Sequence, residues 1–257
     1  MPVASFGVPM PQAPHPPLTQ YYAETADRAG WVRRLFDRTA RDYDRIERAM
    51  AFGSGSRYRR QALHRAGLKS GMRVLDIGTG TGLIAREAAR LVGPSGSVIG
   101  VDPSVGMLER ANVPPGVRMV SGIAEAIPAP AECADFVSMG FALRHIEDLS
   151  AAFREYERVL VPGGLVCLLE ITPPEGRLPR ALLKAYMKRV VPWMARCMAA
   201  HRDTPELIRY FWDTIEACVH PGSILAALRA AGFVDVHRHV ELGVFSEYRA
   251  RKPKEPV

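Results

Sequence analysis

A chain of 257 residues with 47% hydrophobic and 24% charged residues has the composition of a globular protein with one substantial core, which excludes disordered, collagenous and fibrous classes. No apolar run reaches the ~18 residues of a membrane span, and residues 1–20 lack a basic n-region and an apolar h-region, so a cytoplasmic location is expected. The net charge of +7 is concentrated between Arg28 and Arg65, where eleven arginines face only Asp37, Asp42, Asp44 and Glu47; this predicts an anionic partner such as a membrane surface, an acidic substrate or nucleic acid, against the plainer reading of a solvated helix face.

In chain order, residues 1–20 hold six prolines and no charge, which predicts a flexible tail before a single domain over 21–257. Trp31, Leu35, Phe36, Tyr43 and Ile46 recur at helical spacing, and a second basic helix is expected near 56–66, so that N-terminal basic helices fill 28–66. From Arg73, short apolar runs alternate with helical stretches, the pattern of βα units and a parallel sheet. Strands are predicted at 73–78, 97–102, 118–122, 134–141 and 164–171, with helices at 82–92, 104–111 and 148–160. The alternation then breaks into a helical insertion over about 178–217, interrupted by Pro192 and Pro205. Pro221 opens a further helix that Gly232 closes, and runs at 233–240 and 242–250 read as an antiparallel pair ending the sheet. The four cysteines, Cys133, Cys167, Cys197 and Cys218, contain no CxxC pair, and His201, His220, His237 and His239 lack a ligand spacing, so no metal is predicted.

The most informative stretch is Val74-Leu-Asp-Ile-Gly-Thr-Gly-Thr-Gly82, a buried strand entering a glycine turn where the backbone can come close to a ligand. A dinucleotide fingerprint would need glycine where Leu83 stands, and a Walker loop would need Lys-Ser/Thr after the glycines. What remains is a nucleoside without a pyrophosphate. Asp76 suits a cationic ligand end such as an ammonium, often through water or an ordered loop. Asp102 ends the next strand, where its two oxygens can accept both ribose hydroxyls.

That combination resembles the S-adenosylmethionine-dependent methyltransferases of the Rossmann-like class I. The resemblance implies an α/β fold with a doubly wound, mostly parallel seven-stranded sheet, N-terminal helices and a helical insertion after the fifth strand. It also implies S-adenosyl-L-methionine as cofactor, held by Asp76, Gly78, Thr79, Gly80, Thr81, Gly82, Asp102, Met107, Ile123, Ala124 and Gly140. Val120-Ser-Gly-Ile-Ala-Glu-Ala-Ile-Pro128 is similar to the segment flanking the adenine, with Ile123 where an Asp or Asn is common. Val159-Leu-Val-Pro-Gly-Gly164 is similar to the turn entering the fifth strand.

More narrowly, Leu35-Phe-Asp-Arg-Thr-Ala-Arg-Asp-Tyr-Asp44, Met50-Ala-Phe-Gly53, Phe141-Ala-Leu-Arg-His145, His220-Pro-Gly222 and Ala231-Gly-Phe233 resemble the ubiquinone and menaquinone biosynthesis C-methyltransferase family. Departures are His145 for Asn, Ala142 for Gly and Glu47 for Asn. The resemblance implies a lipophilic quinol or phenol acceptor, prenylated or not, a role for Arg144 in catalysis, and substrate contacts from Tyr43 and Tyr210.

Methyl transfer from a sulfonium is an in-line displacement that needs positioning and a dry pocket rather than a metal. For a ring carbon to attack, a ring hydroxyl of pKa near ~10 must lose or share its proton. Arg144 is therefore assigned to the oxyanion, against an ion pair with Glu147 or Asp148, and His145 to proton acceptance, against a helix-entry role. Met187, Trp193, Met194, Met198, Tyr210, Phe211 and Trp212 could line an apolar cap or form plain core. The charged N-terminal segment, with the adjoining apolar cap, is expected at an anionic membrane surface, peripherally at the inner face of the membrane, and a homodimer is left open. Alternatives are an O-, N- or phospholipid N-methyltransferase of this fold, or a methyltransferase-like protein without catalysis. A nucleic-acid methyltransferase is disfavoured because no Asn/Asp-Pro-Pro-aromatic element follows the fourth strand, so no nucleic-acid partner is expected.

Overall fold

The computed structural model describes residues 13–197 and 202–254. Seven strands, β1 (Arg73–Ile77), β2 (Ser97–Asp102), β3 (Arg118–Ser121), β4 (Ala134–Gly140), β5 (Leu160–Ile171), β6 (Val234–Glu241) and β7 (Phe245–Arg251), form one sheet in the order β3-β2-β1-β4-β5-β7-β6. β1 to β5 pair in parallel, and β7 runs antiparallel to both β5 and β6. The central strands read as continuous apolar runs because helices cover both faces of the sheet. On one face, α5 (Leu149–Val159) and α9 (Pro221–Ala230) pack on Val137, Met139, Leu168 and Tyr248. On the other, α2 (Gly55–Arg65) and α3 (Leu83–Val92) pack on Val74, Phe136, Cys167 and Leu169. The strand order reverses between β1 and β4, and a crevice at the carboxyl ends follows from that topology.

A third cluster lies above the sheet edge. It joins α1 (Arg28–Met50) to the insertion, which comprises α6 (Arg177–Ala185), α7 (Val191–Cys197) and α8 (Thr204–Ala217). Pro192 does not interrupt this insertion. A proline collides with the carbonyl four residues earlier, and the chain accommodates it by widening to a π-turn over Tyr186–Val190. Pro205 sits at the first turn of α8, where its missing N–H has no helical partner to lose.

The reading of residues 1–20 as tail is corrected for the part described. His15, Leu18 and Tyr22 are buried; the Val219 N–H donates to the Pro14 carbonyl (2.7 Å), and the Leu18 N–H donates to the Tyr22 hydroxyl (3.0 Å). Apolar residues among the prolines let the strand of chain pack without helix. Residues 1–12, Met198 and His201 lie outside the described residues.

The eleven arginines also fail to share one face. Arg28 and Arg59 are buried, while Arg38, Arg45 and Arg65 are paired with carboxylates. Helical spacing distributes them around two helices. Among the described residues no helix is long and apolar enough to cross a membrane.

Candidate active site

α1 crosses the carboxyl ends of the strands and is tied down at two points. The Asp37 carboxylate accepts hydrogen bonds from the Ser104 hydroxyl (2.6 Å) and the Gly106 N–H (2.9 Å), at the start of α4 (Val105–Glu109). One turn pair later, Asp44 accepts from the Thr81 hydroxyl and faces Arg86 at 3.5 Å. Under this bridge lies a cavity of about 310 Å³ lined by Tyr43, Gly78, Gly80, Asp102, Met107, Ile123, Ala124, Gly140 and His145, with Arg33, Glu125 and Glu147 as its other charged groups.

The glycine turn divides its work. Gly78 has φ +65°, and a Cβ there would sit 2.6 Å from the Ala142 Cβ; Gly80 has φ +56° and faces open space with only the Met107 terminal methyl at 3.9 Å. Gly82 instead packs on Val113 and does not line the cavity. Asp76, Thr79 and Thr81, expected to hold the cofactor, are turned inward. The Asp76 carboxylate accepts from the Thr79 hydroxyl (2.6 Å), the Ala85 N–H (3.1 Å) and the Ser138 hydroxyl (2.8 Å). Its oxygens brace the loop from beneath and are not offered to an ammonium group. Burial pushes its pKa up to about 6.

Asp102 does line the cavity. Its oxygens accept from the Gly80 N–H and the Ser104 N–H, both at 2.8 Å, and burial pushes its pKa up to about 6. A carboxylate has about four acceptor sites, so two remain for hydroxyl donors. An open glycine cradle, a half-satisfied carboxylate and the apolar Met107, Ile123 and Ala124 fit a nucleoside with a thioether-like chain.

A second, apolar cavity of about 140 Å³ adjoins the first. Tyr43 and Phe141 line both. Phe141 holds φ +60°, a conformation costing ~1–3 kcal/mol in a bulky residue and typical of functional sites; the Leu169 carbonyl accepts its N–H at 2.7 Å. Met187, Phe211 and Phe245 supply apolar wall, and Arg144 lines the cavity as well. Burial pushes the Tyr43 hydroxyl up to about 12, so it stays protonated and can donate.

Arg144 is buried, with its Nη1 paired to Glu170, its Nε donating to the Thr214 hydroxyl (3.1 Å) and its guanidinium 5.5 Å from the Phe211 ring centroid. The counter-ion is thus Glu170 of β5, neither Glu147 nor Asp148. Glu170 escaped the sequence reading, although a carboxylate inside the apolar run Leu165–Ile171 was its signal, since buried acids are nearly always paired. The Arg144 carbonyl accepts from Arg28 Nη2 (2.9 Å), which also donates to His15 Nε2 (3.0 Å).

His145 is stacked on Tyr210 with centroids 5.3 Å apart. Its Nε2 is buried without a partner among the described residues. Burial first, then Arg144 and Arg28, hold its pKa well below 6.5; the ring is neutral and less basic than an exposed imidazole. Tyr210, expected against the substrate, is fully buried behind His145 and lines neither cavity. α8 reaches the apolar cavity instead through Leu207, Phe211 and Ile215, which share one face because helical spacing turns successive side chains by about 100°. Trp212 is core, and Trp193 projects into solvent.

Away from this site, His239, Glu241 and Glu247 converge closely enough to suggest a cation. Arg65 and Arg249 already neutralise Glu247, and Arg65 reaches Glu241 at 3.3 Å.

A seven-stranded sheet with a glycine turn beneath a bridging helix and an acid at the end of the second strand defines an S-adenosylmethionine-dependent methyltransferase. The sequence profile of the ubiE/COQ5 methyltransferase family matches residues 23–252, and the chain belongs to that family. It is 38% identical over 221 residues to the demethylmenaquinone methyltransferase of Roseiflexus castenholzii, covering 84% of this chain and 91% of that protein. It is 34% identical over 232 residues to the ubiquinone/menaquinone biosynthesis C-methyltransferase UbiE of Geobacter sulfurreducens, covering 86% and 88%. Among solved structures, a SAM-dependent methyltransferase from Aquifex aeolicus aligns with TM-score 0.58 at 21% identity, covering 81% and 97%. The [4+2]-cyclase SpnF aligns with TM-score 0.61 at 17% identity, covering 88% and 96%. Likeness at that level shows the fold alone, and the side chains of the site carry the chemistry.

Proposed function

We propose that the enzyme methylates a ring carbon of a quinol whose prenyl chain occupies the apolar cavity, the acceptor being delivered from a membrane. The observation that carries this reading is the adjacency of two cavities, one polar-floored and one apolar, across Tyr43 and Phe141, with a buried guanidinium on the apolar side. Gly78, Gly80, Asp102 and Met107 would hold S-adenosylmethionine, which supplies an electrophilic methyl carbon beside a sulfonium.

Arg144 receives the quinol oxygen. Glu170 and Thr214 fix two of its three nitrogens, and electrostatic stabilisation of developing phenolate needs such prearranged donors. His145 Nε2 accepts the hydroxyl proton. Protonation beside Arg144 is costly for the free enzyme, and the cost falls when the departing proton leaves a phenolate against the same guanidinium. The cofactor would supply the methyl group and keep the carbon–sulfur electron pair, so the chain's part is to hold the ring carbon towards it. His145, having returned the hydroxyl proton to the ring oxygen, would then take the proton from the methylated carbon, which restores aromaticity. Tyr43, still protonated, positions the ring at the junction.

The test is incubation with isotopically labelled cofactor and a demethylated prenyl quinol, a catechol or phosphatidylethanolamine, with the product located by mass spectrometry and NMR. A methyl group on the quinol ring carbon is expected. Methylation of oxygen or of the lipid amine instead would replace this reading with the O- or N-transfer alternatives.

A further inference from the structure

The rim of the apolar cavity carries exposed apolar side chains on three separate elements. Phe52, in the turn between α1 and α2, is 80% exposed, Leu242 in the β6–β7 turn is 82% exposed, and Leu178 and Leu182 on α6 are 70% and 63% exposed. Each adjoins residues that line the cavity: Met50 and Ala51, Val244 and Phe245, and Leu183 with Tyr186. Phe52 and Leu242 hold φ +48° and +51°. Glycine or asparagine would occupy those turn tips without strain, yet a large apolar side chain stands at each in water.

α6 itself is amphipathic in an unusual sense. None of its residues is buried. Leu178 and Leu182 share one stripe at i, i+4, and Trp193 on α7, 62% exposed, continues the same segment. From Arg177 to Cys197 the sequence has six cationic residues and no acidic one. Three are paired with α8, Arg180 and Lys184 to Glu216 and Lys188 to Asp213; Arg177 and Arg189 are exposed on the segment. Exposed leucines along one stripe of α6, an exposed tryptophan on α7 and lysine and arginine around them are the side chains with which a helical segment of low net hydrophobicity lies in the plane of a lipid interface.

We infer that α6 and α7, with the Phe52 and Leu242 turn tips, form the face on which this enzyme sits on an anionic lipid surface. The occupant is a membrane because the charge is cationic without being clustered for one ligand, and the apolar groups are separate tips rather than a groove for a peptide. The inner side of the same segment lines the apolar cavity through Leu183, Tyr186 and Met187, so an apolar acceptor passes from bilayer to cavity without crossing water. The purpose rests on the prenylated-acceptor reading above; the docking itself does not, and its assay needs no turnover. The cationic N-terminal helices are not this face, because their arginines scatter around α1 and α2.

The test uses the full chain with vesicles of phosphatidylcholine alone or mixed with phosphatidylglycerol. Trp193 is the exposed member of three tryptophans, Trp31 being half-buried and Trp212 buried. Its emission should shift to the blue and be quenched by brominated lipid only in the anionic mixture, with co-sedimentation weakened by salt. Leu178→Ser with Leu182→Ser should reduce recovery by roughly tenfold or more, while methyl transfer to a short-chain soluble acceptor stays unchanged. Arg34→Ser with Arg41→Ser, on the exposed side of α1, should leave recovery as it was. Equal recovery with neutral vesicles, no effect of the two leucine changes, or an equal loss from the α1 changes would each overturn the inference. If the enzyme binds as described but does not methylate the quinol, the functional reading falls and the docking face stands.

Discussion

Replacing Asp102 with Asn should separate cofactor binding from folding. In the folded protein its pKa is pushed up from 3.8 to about 6, by burial first. A raised carboxyl pKa means that the folded state holds the proton more tightly than the unfolded chain. The associated stability is present at low pH and lost as pH rises from 3.8 through about 6. At neutral pH the ionised carboxylate therefore costs the fold on the order of 3 kcal/mol, at about 1.4 kcal/mol for each tenfold change in proton affinity. Asparagine removes that cost. Its single oxygen serves one of the two N–H donors, Gly80 or Ser104, and leaving the other unsatisfied costs ~1–3 kcal/mol. The two effects oppose, so the cofactor-free melting temperature should be unchanged or slightly higher. Binding should behave otherwise, because two charge-assisted hydroxyl bonds weaken; at ~1.5–3 kcal/mol the affinity falls roughly ten- to hundredfold. Calorimetric titration with S-adenosylmethionine and thermal melting without it read the two quantities. Unchanged affinity would refute the ribose role, and a fall in melting temperature matching the loss of affinity would reassign Asp102 to holding the loop.

The same carboxylate makes cofactor affinity pH-dependent: below about 6 the ionised form is depleted, and the dissociation constant should rise about tenfold per pH unit in the wild type and stay flat in Asp102→Asn, as titrations across that range would show. Arg144→Ala leaves Glu170 buried without its counter-ion, for a loss of ~3–5 kcal/mol; adding Glu170→Gln should restore most of the denaturation midpoint but none of the methyl transfer, and full activity in the double variant would remove Arg144 from the reaction. Gly78→Ala places a Cβ 2.6 Å from Ala142 at φ +65°, so thermal melting should show a loss of roughly 2 kcal/mol, of which Ala142→Gly recovers the collision but not the ~1–2 kcal/mol of left-handed strain. His145 is held neutral by burial and by Arg144 and Arg28, so kcat should persist as pH falls through 6.5; a decline with its midpoint at or above that value would argue that another group accepts the proton.

Much of the scaffold was readable because its determinants are local. An apolar run ending in Asp76-Ile-Gly78 can only be a buried strand entering a tight turn, and the left-handed φ at Gly78 and Gly80 bears that out. Asp102 was found by spacing along the next strand, whose register with β1 pairs Ile77 with Val101. Pro221 marked the first turn of α9 for the same reason: a missing N–H is tolerated only there.

Other assignments needed partners distant in sequence. Spacing placed Thr79, Thr81 and Asp76 on the turn but could not tell which way they face. Asp44, 37 residues before Thr81, takes that hydroxyl, and Ser138, 62 residues after Asp76, takes that carboxylate. Periodicity put Tyr210 and Phe211 on one helix without deciding which meets the cavity. The pairing of Arg144 with Glu170 across β4 and β5, and the bridge that Asp37 and Asp44 make over the crevice, exist only once the sheet has brought its strand ends together. The amino-acid sequence by itself determined the backbone path of the nucleotide turn, because chirality and burial act over a few residues. The tertiary structure decided which polar groups were consumed in holding that turn and which were left for a ligand, because a buried donor or acceptor must be satisfied by whatever packing places beside it.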